Sequence, residues 1–347
     1  MKIELTINIP TSQESVKIFV DSEKNEARCI TDNTKEEGTC ASSATIEKQS
    51  FQDFMEVLIK EKKQNGRQRT AETYRTTFHS FNRFLKSKTL LFEDFNDSLM
   101  INYQEYLKNN KVCWNTISFY MRILKATYLR AVRQKLATDN HPFEHVYTGM
   151  AKTQKRALSQ QDIRKIKDYI PGNKQEQLAR DLFLFSFYTR GMAFVDMAYL
   201  KKSDINNGIL YYSRKKTGQN LSVKWEPAMQ QIVDSYEAFN DTYLLPIIHT
   251  VGKGERNQYR HVQYIVNKNL VTIGIRLSIQ QKLTLYVARH SWASIAKSID
   301  IPVSVISEAL GHSSENMTKV YLKSIDETRI HNENERIINL LGCKEFG

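Results

Sequence analysis

The stretch ALGHSSENMTKVYL, residues 309–322, contains a histidine and a tyrosine nine residues apart, His312 and Tyr321. Enzymes use imidazole and phenol groups for proton transfer and nucleophilic attack, so one interpretation of the pair is chemistry on a phosphate. The same letters also fit two packed helices, because 303–310 has the apolar spacing of a short helix and Gly311 suits its left-handed end. The rest of the sequence must distinguish the two interpretations.

The composition favours a polyanionic partner. The 347 residues include 50 Lys plus Arg against 38 Asp plus Glu, a formal charge of +12. Such a balance suits nucleic acid or an anionic membrane surface. No apolar run approaches the roughly 18 to 20 residues that span a bilayer, and the start MKIELTINIP lacks the basic segment and apolar core of a secretory signal. We therefore expect a cytoplasmic protein.

The cysteines and histidines give no sign of a metal or cofactor site. The four cysteines are scattered without C-x-x-C pairs: Cys29, Cys40, Cys113 and Cys343. His141 and His145 stand four residues apart, but Pro142 between them favours a loop, and no third ligand is evident. We expect reduced thiols, no bound metal and no cofactor.

Residues 1–45 differ from the rest of the chain in charge and in pattern. They carry a net charge of −3, so the basic excess lies after them. IELTINI and VKIFV alternate apolar and polar residues, which predicts two short strands, and TDNTKEEGTCASSAT is typical of a linker. We predict an N-terminal extension of short strands and linker over 1–45, whose acidity weakens the case for a further DNA-binding domain there.

Four amphipathic segments follow and predict a compact helical domain over 46–150. Their apolar residues recur at helical spacing, and Ser50, Thr70 and Asp97 or its neighbours are suitable helix caps. The segments are SFQDFMEVLIKEKK, TAETYRTTFHSFNRFLKSK, DFNDSLMINYQEYLKNN and NTISFYMRILKATYLRAVRQKL.

Basic residues in these helices and in the following linker are candidates for DNA contact. They are Arg75, Arg122, Lys125, Lys155 and Arg156. Charges of this kind also form ordinary solvated helix faces, but the basic excess of the whole chain favours DNA. A basic linker between two domains would let the pair close around a duplex.

The second predicted domain covers 151–347, beyond the breaks at Pro142 and Gly149. QEQLARDLFLFSFYTRGM predicts a buried helix, and TLYVARHSWASIAKSI predicts a helix with small residues on one face. Between them, NGILYYSRKKTGQNLSVKW predicts a hairpin with Lys216 and its neighbours Thr217 and Gly218 at the turn.

Four residues, taken in chain order, resemble the tyrosine recombinases, also called phage-type integrases. They are Lys216 in KKTG, Arg289 in ARHSWA, His312 in LGHSS and Tyr321 in KVYL. The resemblance covers about residues 46–330, and FYTRGMAFVDMAYLKKSDI and ARHSWA resemble integrases of Bacteroides-type mobile elements. It implies a mostly α fold with a small β-sheet, in which a helical core-binding, SAM-like domain precedes a mixed α/β catalytic domain.

The resemblance also implies a role for each of these residues in site-specific cutting and rejoining of DNA. Tyr321 would attack phosphorus and leave a 3′-phosphotyrosine. Arg289 and His312 would bind the non-bridging oxygens, and Lys216 would protonate the departing 5′ oxygen. By the same resemblance the partners would be double-stranded DNA, a homotetramer on two DNA sites and an accessory DNA-bending protein.

Two positions depart from the family pattern. The family has Gly-x-Arg followed by a carboxylate three residues later, and aligning Gly191 and Asp196 with this pattern puts Ala193 where the first arginine should be. Arg190 or Arg214 could supply the missing charge. Strand alternation would put Arg214 and Lys216 on one face, which favours Arg214. Tyr286 stands where the family has His or Lys, and a phenol is a poorer proton-transfer group at neutral pH because its pKa is near ~10.

Three functions therefore remain open at this point. A site-specific recombinase leads. A type IB topoisomerase-like enzyme would use the same chemistry, and a DNA-binding protein of the same fold would have lost or weakened catalysis through Ala193 and Tyr286.

Overall fold

A computed structural model divides the chain into two compact units, Met1–Lys152 and Thr153–Gly347. The structure describes residues 2–8, 15–21, 26–31, 49–151, 157–236, 241–312, 314, 318 and 338. Among the helices of these residues, none combines the length and the apolar character that crossing a membrane requires.

The first unit begins with a three-stranded antiparallel sheet in the order β1-β2-β3. Its strands are β1 (Lys2–Asn8), β2 (Ser15–Asp21) and β3 (Glu26–Thr31). The first two confirm the strands expected from alternation. The third was not predicted from the sequence, and the predicted linker beyond Thr31 lies outside the described residues.

Four helices form the rest of the described first unit: α1 (Phe51–Gln64), α2 (Gln68–Phe84), α3 (Asp97–Asn109) and α4 (Trp114–Arg133). Aromatic rings fill their shared core, and Phe51, Phe81 and Phe95 are fully buried within contact of one another. Edge-to-face and tilted ring pairs of this kind add to the apolar area that is buried.

Side-chain caps fix two of these helix starts, as the sequence predicted. Ser50 accepts a hydrogen bond from the N–H of Asp53, and Asn96 accepts one from the N–H of Leu99. The expected cap at Thr70 is wrong, since α2 begins at Gln68 and its N-cap is Arg67, without a side-chain hydrogen bond.

The second unit combines helices with a small antiparallel sheet. Its helices are α5 (Gln160–Asp168), α6 (Lys174–Tyr188), α7 (Phe194–Ala198), α8 (Pro227–Asp234), α9 (Glu255–Arg276), α10 (Leu285–Ser298) and α11 (Val303–Ala309). The strands β4 (Ile205–Asn206), β5 (Ile209–Ser213) and β6 (Asn220–Lys224) pair in chain order. Helix α6 is the centre of the core, because Leu182, Phe183 and Phe185 are fully buried and it packs against α9 and α10.

The buried carboxylate of Glu176 links the start of α6 to the end of α9. Glu176 is 2% exposed and accepts hydrogen bonds from the Tyr169 hydroxyl at 2.7 Å and the Gly172 N–H at 3.0 Å. Arg276, at the end of α9, donates to the same carboxylate at 2.7 Å. The Tyr169 and Gly172 hydrogen bonds and the Arg276 charge hold the pKa of Glu176 below its usual range, against the opposing effect of burial.

We predict that Glu176→Gln lowers the melting temperature at pH 7 by roughly 2–4 °C or more, the scale of losing about 1 kcal/mol in a domain of this size. The folded-state pKa lies below the unfolded one, so this stabilisation is present above the unfolded pKa and is lost as pH falls through the folded pKa. Thermal unfolding should therefore show the two proteins converging in acid. Glu226→Gln, at an exposed carboxylate, is the control and should change little.

Candidate active site

The candidate site is built around Arg289 on α10. This residue is 5% exposed, and its guanidinium donates to the carbonyl of Gly191 at 2.9 Å and to that of Leu310 at 2.6 Å. It also lies 3.1 Å from Nε2 of His312. A buried guanidinium must keep its hydrogen bonds, so Arg289 fixes three chain segments against one another.

The carbonyls that bind Arg289 lie at the ends of two helices that terminate in the same way. After α6, the N–H of Gly191 donates to the backbone carbonyl of Ser186 at 2.7 Å. After α11, the N–H of His312 donates to the backbone carbonyl of Ser307 at 3.0 Å. The left-handed residue just before each donor is Arg190 after α6, with φ of +61°, and Gly311 after α11, with φ of +62°; Gly191 itself is also left-handed, at +75°. The sequence predicted the second of these ends, and each ring of backbone bonds is the usual closure at a left-handed residue.

The hairpin brings a second arginine to the same place. Arg214 is 9% exposed and donates to the carbonyl of Gly311, next to His312. The alternation argument for it is wrong, however: β5 ends at Ser213, Arg214 begins the turn, and Lys216 is exposed within the turn. The N–H of Arg214 donates to the backbone carbonyl of Gln219 and closes the turn, and this turn places the Arg214 side chain at the site.

Burial and the surrounding cations lower the pKa of His312. Burial is the largest cause, followed by the charges of Arg289, Arg214 and Lys216, and together they lower the pKa of His312 to about 4. The imidazole is therefore neutral at pH 7. Its Nδ1 lies 2.7 Å from the hydroxyl of Thr318, which is fully buried.

A carboxylate on α7 ties the hairpin to the rest of the unit. Asp196 is 5% exposed and accepts the N–H of Lys215 at 2.8 Å. Burial raises the pKa of Asp196, while this hydrogen bond and the charges of Arg214 and Arg289 oppose the rise. The carboxylate is the one that the sequence aligned with the family pattern, and its partner in the hairpin is a backbone N–H.

The two adjacent lysines of the turn have different surroundings. The Nζ atom of Lys215 lies 4.6 Å from the centre of the Tyr199 ring, a cation–π contact, and Lys215 lines a groove of about 630 Å³ with Tyr199, Tyr211 and Asp196. The charge of Lys216 acts on His312. Of the two lysines, Lys216 is therefore the one whose charge lowers the pKa of His312.

The remaining candidates lie at the edge of this cluster. Arg190 has a left-handed backbone, with φ of +61°, at the end of α6. Burial and the charge of Asp196 raise the pKa of Tyr212 to about 12, and the charges of Arg289, Arg214 and Arg190 oppose that rise, so Arg190 also acts on this region. Tyr286 is 58% exposed and packs edge-on against His290, with ring centres 4.7 Å apart.

The other predicted residues fall elsewhere or outside the described residues. Tyr321, Lys155 and Arg156 are not among the described residues. Arg75 is exposed on α2, and Arg122 and Lys125 are exposed one turn apart on α4. Sequence reasoning missed Thr318; its position three residues before Tyr321, at helical spacing, was the available signal.

Close packing of Gly191 on Arg289 gives a test of this arrangement. A Cβ at Gly191 would lie 2.6 Å from the Cα of Arg289 and 2.7 Å from its Cβ and Cγ. We predict that Gly191→Ala lowers the free energy of unfolding by more than the about 1–2 kcal/mol that a left-handed alanine costs by itself. Chemical denaturation measures the loss.

Gly208→Ala is the matched control for this prediction. Gly208 has φ of +73° and nothing within 4 Å of its Cβ position, so it carries the backbone cost without the clash. Equal losses in the two variants would show that the contact with Arg289 does not constrain the site.

Two family comparisons cover most of the chain. Residues 50–147 match the phage integrase SAM-like domain, and residues 156–328 match the phage integrase family. Tyrosine recombinase XerA of Thermococcus onnurineus is 26% identical over 191 residues, which are 53% of this chain and 64% of that protein. Tyrosine recombinase XerC of Pediococcus pentosaceus is 23% identical over 73% of this chain and 87% of its own length. The chain spans less than two thirds of the XerA relatives from Thermococcus onnurineus and Pyrococcus furiosus, 64% and 58% of their lengths.

Solved structures share the fold at low sequence identity. A lambda integrase dimer bound to a COC′ core site has a TM-score of 0.60 and 16% identity, over 79% of this chain and 95% of that one. The Tn1549 transposon integrase in complex with transposon right-end DNA has a TM-score of 0.63 and 13% identity, over 84% of this chain and all of that one. The two family matches, together with this mostly helical fold and its small sheet, show that the chain belongs to the phage integrase family, the tyrosine recombinases.

Proposed function

We propose that this protein is a site-specific DNA recombinase, an integrase that cuts and rejoins DNA through a 3′-phosphotyrosine. The observation that carries the proposal is that Arg289 and Arg214 donate to the adjacent carbonyls of Leu310 and Gly311, while Arg289 also lies 3.1 Å from Nε2 of His312. Two guanidinium groups beside an imidazole suit the charge of a phosphodiester in its transition state.

In the proposed reaction a phosphoryl group of the DNA moves from the 5′ oxygen to Tyr321 during cleavage and back to a 5′ oxygen during rejoining. In cleavage, the Tyr321 hydroxyl loses its proton to solvent, the bond between its oxygen and phosphorus forms, and the bond from phosphorus to the 5′ oxygen breaks. Lys216 gives its proton to the 5′ oxygen, while Arg289 and Arg214 bind the non-bridging oxygens and His312 donates a hydrogen bond to one of them. Rejoining reverses these steps, and since the ester bond is conserved it consumes no nucleotide.

Arg214 takes the role that Ala193 cannot fill. It is buried, and it donates to the carbonyl next to His312, so its charge is already close to the site that a phosphate would occupy. This second cation also argues against a protein of the same fold that has lost catalysis. Tyr286, exposed at the edge, would contact the DNA near the phosphate and take no part in proton transfer.

The proposed division of labour follows the domain boundaries expected from the sequence. Residues 46–150 would bind DNA as the core-binding domain, with Arg75, Arg122 and Lys125 on their exposed helix faces. Residues 151–347 would be catalytic, and Lys155 and Arg156 in the linker would follow the phosphate backbone. The extension 1–45 has no assigned role.

We further propose that four copies act on two DNA sites. A lambda integrase tetramer bound to a Holliday junction, 13% identical with a TM-score of 0.59, has the same fold, and such an assembly distinguishes a recombinase from a topoisomerase-like enzyme that acts as a monomer. The DNA would belong to a mobile element of the Bacteroides type, the reaction would occur in the cytoplasm, and an accessory DNA-bending protein would assist it.

We predict that Tyr321→Phe abolishes the covalent protein–DNA adduct and leaves duplex binding nearly intact, because the change removes one oxygen and little volume. Trapping on nicked target DNA, with binding measured in parallel, tests this. An adduct that persists in the variant would move the nucleophile to another residue.

We also predict that Arg214→Ala slows single-turnover cleavage of a suicide substrate by on the order of a hundredfold or more, the scale for losing one oxyanion donor. Arg190→Ala is the comparison variant and should cleave at nearly the normal rate, since its expected effect is on the packing of the α6 end. Thermal unfolding of both variants separates catalysis from folding. If Arg190→Ala is inactive and Arg214→Ala cleaves normally, the first arginine has been assigned to the wrong residue.

A further inference from the structure

The imidazole of His312 has a defined tautomer, because its two nitrogens face different kinds of partner. Nε2 lies 3.1 Å from Nη2 of Arg289, and a guanidinium can only donate. Nε2 must therefore carry the lone pair. In the neutral ring the proton is then on Nδ1, which lies 2.7 Å from the hydroxyl oxygen of Thr318 and donates to it.

Thr318 is suited to hold this arrangement because it is fully buried. A buried Nδ1–H needs an acceptor, and its loss would leave the donor unsatisfied in a place that water does not reach. The hydroxyl oxygen supplies that acceptor whether Nε2 is protonated or not. It thus fixes which nitrogen of His312 faces Arg289.

Burial and the charges near His312 keep the ring neutral in the absence of an anion. Arg289, Arg214 and Lys216 all act on it in the same direction. The acidic group of this cluster is Asp196, whose carboxylate interacts with both arginines and accepts the N–H of Lys215. A phosphate that enters among the cations brings a negative charge, which favours protonation of the imidazole.

We propose that Thr318 is a positioning residue for the recombination reaction: it holds His312 in the Nδ1–H tautomer, so that Nε2 is the nitrogen that binds a proton when a phosphate enters. This inference rests on the proposed function. One proton passes from solvent to Nε2, the hydrogen bond that Arg289 donates to Nε2 breaks, the new N–H donates to a non-bridging phosphate oxygen, and Nδ1–H keeps its bond to Thr318. No bond to carbon or phosphorus changes in this step.

The tautomer can be read directly in the free protein. Proton–nitrogen correlation spectra of isotope-labelled full-length protein distinguish a protonated from an unprotonated ring nitrogen, and His312→Asn identifies the signal among the eight histidines. We expect the proton on Nδ1. In Thr318→Val, which keeps the shape and removes the acceptor, we expect the Nδ1–H signal to shift and to exchange faster with water, whereas Thr318→Ser should restore the wild-type spectrum.

Cleavage kinetics test the consequence. For wild type, the single-turnover rate should fall as pH rises through the pKa of His312 in the DNA complex, because the imidazolium is lost. Thr318→Val should be slower by about tenfold, the cost of one hydrogen bond, and its alkaline decline should move to lower pH, because the imidazolium loses the hydrogen bond that Nδ1–H donates to Thr318. Thr318→Ser should recover both the rate and the pH profile.

The outcomes separate this inference from the function on which it rests. A proton on Nε2 of the free wild-type protein would overturn the inference even if the protein recombines DNA. So would a Thr318→Val protein that keeps the wild-type spectrum and pH profile and has only a lower melting temperature, since that is a purely structural role. Absence of cleavage by wild type, together with an Nδ1–H tautomer, would overturn the proposed function and leave the tautomer assignment standing.

Discussion

The buried guanidinium of Arg289 is the constraint on which the catalytic unit depends. A charged group that leaves water costs several kcal/mol unless hydrogen bonds replace its hydration. Here the replacements are the carbonyls of Gly191 and Leu310, each at the end of a helix. Helix C-termini carry partial negative charge, so two helix ends stabilise one cation, and the position of that cation in turn fixes the segments after α6 and α11.

The second cation shows that this site is defined by convergence in space and not by position in a motif. The family pattern puts an arginine at the position of Ala193, at the start of α7, and this chain has none there. Asp196, three residues later, is still present and holds the backbone of Lys215. The hairpin is thereby kept close to the end of α11, and Arg214 at its turn donates to Gly311. A side chain from a different element thus brings positive charge to the same cluster.

Local signals in the sequence predicted most of the elements, and tertiary contacts explain most of the misses. Helical periodicity and the stop at Gly311 were sufficient for α11, because a left-handed glycine and an apolar stripe are local properties. Thr70 was predicted as a cap from its residue type alone, although the chain turns at Arg67. Alternation failed at Arg214 because the strand ends one residue earlier, at Ser213. The partners of Arg289 are backbone carbonyls, which leave no mark in a side-chain pattern.

The charge balance of the cluster explains why a neutral histidine fits beside two arginines and a lysine. A further positive charge on His312 would add repulsion in a region where burial already disfavours ions, and the lowered pKa of His312 reflects both effects. Asp196 and the helix-end carbonyls offset part of the repulsion between Arg214 and Arg289, but they leave the cluster with an excess of positive charge. An entering phosphate would relieve that repulsion, while the hydrogen bonds of the arginines to Gly311 and Leu310 continue to hold them in position. The arrangement is thus preorganised for an anion. In the free protein, hydrogen bonds to carbonyls at two helix ends offset part of the electrostatic repulsion between the cations.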